Sequence, residues 1–103
     1  MEINARAPAV GLDVIQAAAA GVQDAWEDIV DAYAASVWSV ARRQLTADEA
    51  AQVSQLTWLR LADRLQHMSP EVIGRWLEET AERESTRLAR LSVLEERDEA
   101  RPA

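Results

Sequence analysis

The chain has 103 residues, no cysteine and no lysine, and its formal net charge is −7, which predicts one domain without disulfides or cysteine-based metal sites. No apolar run approaches the roughly 20 residues of a membrane span, and the start has neither a basic leader nor an apolar signal core, so we expect a soluble, cytoplasmic protein. The acidity argues against nucleic-acid binding through bulk electrostatics, because counterion release needs clustered cations, and any DNA contact would have to be local.

The chain begins with a segment that has no helical periodicity. Residues 1–11 contain Pro8 and Gly11, which disfavour a continuous helix, so we expect an irregular lead-in. The following segment, LDVIQAAAAG, favours a short Ala-rich helix. Gly21 closes it, because glycine adopts the left-handed conformation that often ends a helix.

Residues 22–44 carry apolar side chains at steps of three and four, which predicts a second helix with one buried face. Its acidic residues come early and its arginines late, as the helix dipole favours. We expect Trp26, Tyr33 and Trp38 to pack in the core, as aromatic residues at helical spacing usually do.

The third predicted helix starts at Thr46 and ends near His67. Thr46 and Glu49 have the spacing of a capping box, in which each residue binds the backbone of the other. Apolar residues cover more than half of the circumference, so we expect this helix to lie between two others. The expected polar strip comprises Thr57, Arg60, Asp63 and Arg64. Four polar residues are expected to remain free for solvent or a partner: Gln52, Gln55, Arg60 and Asp63.

The last predicted helix starts with Ser69 as cap and Pro70 in the first helical position, where its missing N–H does no harm. It should reach at least Leu91. Its expected inward stripe is interrupted at Glu84 and Ser85 and consists of Ile73, Trp76, Leu77, Thr80, Ala81, Leu88 and Leu91. Residues 93–103 are charged and lack apolar anchors, so we expect a flexible tail.

No segment shows the period of a strand or the turn of a hairpin. We therefore expect an all-α fold, a small bundle of one short and three long helices within residues 12–92. Its short connections predict roughly antiparallel neighbours.

Three blocks of residues resemble a known family in order and spacing. They read AAAAG....AW..IVDAYA..VW.VAR, then D.A..V.Q.TWLRL...L, then P..IG.WL..TA.RE..RL.R, and they cover about Ala17 to Arg90. This part of the chain resembles the second conserved region of bacterial extracytoplasmic-function sigma factors, especially those of actinobacteria. The linker and helix-turn-helix region of a complete factor have no counterpart in these residues.

The resemblance implies two binding surfaces. In the family, this helical domain docks on the clamp helices of the largest RNA polymerase subunit, and its last helix opens and reads the promoter-proximal element. By position, the polymerase surface would consist of Val37, Arg42, Arg43, Gln52, Gln55 and Leu56. The DNA surface would consist of Arg75, Trp76, Arg83, Arg87 and Arg90, although Trp76 also fits the buried stripe.

Glu79 and Glu82 stand where family members usually have small polar or basic residues, and these acids would repel phosphates. A second interpretation is therefore a protein-interaction module that keeps the fold but not promoter opening, and binds polymerase, an anti-sigma factor or another regulator. A third is a bundle that only dimerises through its apolar faces. No nucleophile with a base, no phosphate loop and no metal-ligand spacing occurs, so we expect no enzyme, cofactor or metal site.

Overall fold

The computed structural model describes the backbone of residues 10–100 and the side chains of residues 10–97. Its elements are α1 (Leu12–Ala19), α2 (Gln23–Arg42), α3 (Ala47–Arg64), a 3-10 turn (Leu65–His67) and α4 (Pro70–Ala100). No strand occurs in this range, and the expected all-α bundle of one short and three long helices is confirmed.

Residues 10 and 11, the described part of the expected lead-in, are irregular as predicted, and they also contact the bundle. Val10 is buried and belongs to the core, and the Gly11 carbonyl accepts a hydrogen bond from the Ile15 N–H at 3.2 Å. Residues 1–9 of the lead-in lie outside the described part. At the other end of α1, Gly21 has a φ of 97°. It ends the helix as the sequence predicts.

The buried face of α2 is rotated relative to the predicted one. Ile29, Val37 and Ala41 are fully buried, whereas Trp38 is 40% exposed, so the prediction that Trp38 packs in the core was wrong. Successive residues of a helix point about 100° apart, and Val37 occupies the inward direction that Trp38 cannot share. Trp26 and Tyr33 are half-buried and pack against the core.

The capping box at the start of α3 is confirmed. The Glu49 N–H donates to Thr46 Oγ1 at 3.2 Å, and the Thr46 N–H donates to Glu49 Oε1 at 3.1 Å. The predicted polar strip of α3 was wrong at Thr57, which is fully buried. Its hydroxyl donates to the Val53 carbonyl at 2.8 Å, which satisfies a polar group inside the core.

The helix α3 is not enclosed between two others as predicted. Each of α2, α3 and α4 packs against the other two, and α1 packs against α2 and the 3-10 turn. Because the bundle is three-sided, one apolar side of α3 stays open, and Leu59 is 64% exposed. The Trp58 ring meets Trp26 edge to face, with the ring centroids 6.5 Å apart.

The buried stripe of α4 runs through the two positions where an interruption was expected. Glu84 and Ser85 are buried, together with Ile73, Leu77, Thr80 and Ala81, whereas Leu91 is 50% exposed. Pro70 is the first residue of α4, and the Ser69 carbonyl accepts a hydrogen bond from the Ile73 N–H at 3.0 Å. Of the expected tail, residues 93–100 continue the helix, and residues 101–103 lie outside the described part.

None of the helices in the described residues combines the length and the apolar character that crossing a membrane requires. At 31 residues, α4 is about 46 Å long. It extends well beyond α2 and α3, with 20 and 18 residues respectively.

Candidate functional site

The arginines at the end of α2 belong to the polymerase surface that the resemblance implies. Both are exposed. Arg42 donates through Nη1 to the Leu45 carbonyl at 2.8 Å and so supports the turn into α3. Arg43 Nη1 lies 3.9 Å from Glu82 Oε1 and connects α2 with α4. Val37 is fully buried, so it supports the core and cannot contact a partner without opening the bundle.

The residues of this surface on α3 lie beside a groove. Gln52 and Gln55 are exposed, and Leu56 is half-buried. A groove of about 210 Å³ between α3 and α4 is lined by Gln52, Val53, Leu56, Glu84, Arg87, Leu88 and Leu91. Two residues expected to bind polymerase, Gln52 and Leu56, thus share a groove with Arg87, which was expected to bind DNA.

The four arginines of the expected DNA surface are exposed, and Trp76 is half-buried against the core. Arg83, Arg87 and Arg90 lie within about a sixth of the helix circumference, because steps of four and three nearly complete a turn. Arg83 Nη2 donates to Thr80 Oγ1 at 3.4 Å, and Arg87 Nη1 lies 3.9 Å from Glu84 Oε1. Their guanidinium groups therefore form one basic strip along α4.

Glu84 is a residue that the sequence reasoning missed. Its side chain is 6% exposed, and its Oε2 lies 2.9 Å from Nε of Arg60, which is 45% exposed. Arg60 was expected to be free for a partner, yet it holds α3 to α4. A carboxylate on an inward stripe requires an opposite charge. That requirement was the signal for this pair in the sequence.

A second, acidic groove flanks the basic strip on the side away from the groove between α3 and α4. It is lined by Val40, Arg43, Glu78, Glu79, Glu82 and Arg83, so three glutamates face two arginines. Glu78, one of these glutamates, accepts a hydrogen bond from the Ser36 hydroxyl of α2. The acids that depart from the family pattern therefore lie directly beside Arg83.

His67 is exposed on the 3-10 turn. In the described residues, no three histidine, aspartate or glutamate side chains are grouped so that they could hold a metal ion.

Comparisons of the chain with protein-family models, with curated proteins and with solved structures give no match. The resemblance to sigma factors accordingly depends on the residue blocks quoted above.

Proposed function

We propose that this chain is a sigma region 2-like transcription-initiation domain, which docks on the clamp helices of RNA polymerase and contacts promoter DNA. The observation that carries the proposal is the groove between α3 and α4, where Gln52 and Leu56 adjoin Arg87. A domain that presents DNA to polymerase needs its two binding surfaces side by side. The three residue blocks on α2, α3 and α4 give further support.

The polymerase half of the proposal depends on exposed amides beside a half-buried leucine. Amide groups form hydrogen bonds without the desolvation cost of a charge, and an apolar neighbour adds buried area. The double variant Gln52→Ala/Gln55→Ala is therefore expected to weaken binding of core RNA polymerase and of an isolated clamp-helix fragment. The matched control is Gln16→Ala/Gln66→Ala, which removes two exposed amides elsewhere.

The binding measurement is a pull-down followed by a titration in solution, with circular dichroism as the check on folding. Equal binding by the wild type and by Gln52→Ala/Gln55→Ala would remove this surface from the proposal. Loss of binding in both double variants would point to a general effect on the bundle. Failure of the wild type to bind either form of polymerase would contradict the docking function itself.

A second candidate is a protein-interaction module without promoter contact, and the acidic groove favours it. Arg83 is the first arginine of the basic strip, and its neighbours include Glu79 and Glu82. Carboxylates beside a guanidinium lower its attraction for phosphate, whereas a protein partner of mixed charge can pair with both signs. This candidate predicts polymerase or regulator binding by a chain that shows no salt-sensitive binding to single-stranded promoter DNA.

A further inference from the structure

One side of α2 points away from the rest of the bundle. The helix α4 packs on the side of α2 that carries Ser36, and α3 packs on the side that carries Trp26. At about 100° per residue, Trp38 lies about 160° from Ser36 and about 120° from Trp26 around the helix. We call this side the outer face of α2, and its exposed residues are Asp24, Glu27, Asp28, Asp31, Ala34, Ala35 and Trp38.

The first half of the outer face is acidic. Four carboxylates follow one another over about two turns, at Asp24, Glu27, Asp28 and Asp31. Among the described residues, none of them belongs to an ion pair. Asp24 complements the helix dipole in the first turn, but the dipole does not account for Asp28 and Asp31, which lie further along. In the sequence, residues 7–41 contain no arginine, lysine or histidine.

The arginines of the described helices lie away from these carboxylates. Arg60 of α3 points toward α4, where its Nε lies 2.9 Å from Glu84 Oε2, and Arg64 follows one turn later on the same side. The arginines of α4 lie across α2 from its outer face. Arg42 ends the outer face, and its guanidinium donates to the Leu45 carbonyl at 2.8 Å.

The other neighbouring elements add mainly negative charge. Asp13 is the charged residue of α1, and Asp48 lies in the first turn of α3 beside the end of α2. Both are exposed. The 3-10 turn, which packs against α1, adds the imidazole of His67. The surroundings of the outer face therefore do not neutralise its carboxylates.

Trp38 places an aromatic ring on the same face as the carboxylates. Its side chain is 40% exposed, and the alanines one turn earlier, Ala34 and Ala35, are exposed as well. Their short side chains leave room beside the indole for a group from another molecule. Tryptophan is enriched among the residues that dominate protein interfaces, and its ring attracts guanidinium and ammonium groups.

We propose that the outer face of α2 docks a basic segment of another protein. Arginine or lysine side chains of that segment pair with Asp28 and Asp31, and an arginine or an apolar side chain covers Trp38. The contact does not depend on the function proposed above, because the carboxylates and Trp38 belong to neither of its two surfaces.

The charge and the length of the outer face select this occupant. Its carboxylates repel nucleic-acid phosphates and anionic lipid headgroups alike. From Asp24 to Trp38 the face extends about 21 Å, which is much longer than a metal ion or a small amine needs. A second copy of the chain offers arginines on α4, but Glu79 and Glu82 lie beside them. A basic segment meets no such repulsion.

A titration of the full chain with a synthetic basic peptide tests the proposal. The probe is an amphipathic peptide of alanine, leucine and arginine, and the same peptide with glutamate in place of arginine is its control. Two-dimensional NMR should show shifts of the Trp38 indole and of the α2 amides. Asp28→Asn/Asp31→Asn should weaken binding about fivefold, and Trp38→Ala about tenfold.

Matched variants separate the outer face from overall charge and exposed apolar area. Glu95→Gln/Glu96→Gln removes two exposed acids from α4, and Leu59→Ala truncates the exposed leucine of α3. Both should bind the peptide like the wild type. Equal losses in the matched pairs, or shifts confined to α3 and α4, would overturn the proposal. So would a wild type that does not bind the basic peptide.

Two other occupants of the outer face have their own signatures. Tighter peptide binding by Arg6→Ala would show that residues 1–9 already cover the face. Self-association of the wild type that Asp28→Asn/Asp31→Asn abolishes would assign the face to a second copy. Either result would overturn the proposal. Circular dichroism of each variant identifies any that do not fold, and the two asparagine substitutions, at exposed positions, leave the core unchanged.

Discussion

Gly21 ends α1 with a φ of 97°, a conformation in which an L side chain crowds the backbone. We expect Gly21→Ala to lower the free energy of unfolding by about 1 to 2 kcal/mol. Gly21→Asn should cost less, because asparagine tolerates the left-handed region better than alanine does. Urea unfolding of the three proteins measures the order. Equal stability of the alanine variant and the wild type would show that this turn readjusts without its glycine.

The Glu49 carboxylate takes part in the capping box of α3 and also accepts a hydrogen bond from Ser92 of α4. The Thr46 backbone N–H and then the Ser92 hydroxyl bind its carboxylate and lower its pKa below the ordinary 4.5. A carboxyl whose pKa is lower in the folded state adds stability above the unfolded-state pKa. That contribution is lost as the pH falls through the folded-state pKa.

The pH dependence can be isolated with Glu49→Gln, which keeps the shape but does not ionise. We expect the wild type to be more stable than this variant at neutral pH, and the difference to shrink as the pH falls below about 4.5. Thermal unfolding followed by circular dichroism measures both. Asp48→Asn is the matched control, from the same helical turn but outside the capping box. A difference that stays constant with pH would contradict the assignment.

Between elements, the pair of Arg60 and Glu84 is the main polar link from α3 to α4. Removal of Arg60 leaves a buried carboxylate without its nearest cation, so Arg60→Ala should cost about 2 to 3 kcal/mol. Glu84→Ala should cost less, because the half-exposed Arg60 can turn to water. The double variant Arg60→Met/Glu84→Leu should recover most of the loss, since apolar residues can replace a buried ion pair. Urea unfolding distinguishes these outcomes, and equal losses in all three variants would contradict the pairing.

The ends of the elements were predictable because their signals are local. Thr46 with Glu49, Pro70 and Gly21 act through neighbours within a few residues, and the structure has them where the sequence indicates. Which side of each helix is buried depends on the other helices. The three-sided packing of α2, α3 and α4 decides that Val37 rather than Trp38 points inward. Spacing along one helix does not contain that information.

In the candidate site, too, some features could be predicted from the sequence and others depend on how the helices pack. Exposure of Gln52, Gln55 and the α4 arginines agrees with their polar character, which the sequence displays. The shared groove of Leu56 and Arg87 depends on how α3 and α4 are placed against each other. The burial of Glu84 depends on the approach of Arg60 from another helix. The shared groove and the burial of Glu84 could therefore be recognised only from the packed structure.

At the scale of the whole molecule, the net charge of −7 makes any DNA binding local and salt-sensitive. If the basic strip contacts phosphates, Arg83→Ala/Arg90→Ala, which leaves the groove residue Arg87 intact, should weaken binding of single-stranded promoter DNA and lower its salt dependence by about one to two phosphate contacts. Polymerase binding should be unchanged. Fluorescence anisotropy at several salt concentrations measures this, with Arg6→Ala/Arg64→Ala, both outside α4, as the control of equal charge.

Equal losses in the two arginine variants would mean that overall charge, and not the strip, governs the interaction. No salt-sensitive DNA binding by the wild type would favour the protein-interaction module. Neither result affects the polymerase-binding test with Gln52→Ala/Gln55→Ala, because these two residues carry no charge.

Ser92 hydrogen-bonds to Glu49 on α3, and residues 93–97 beyond it are exposed. This end of α4 therefore depends mainly on its own backbone hydrogen bonds, which open at a small cost in free energy. Its amide hydrogens should exchange with solvent long before those of the buried Leu77 and Ala81. The end of α4 would then unwind and re-form while the core stays intact, so the length of this helix would vary with time.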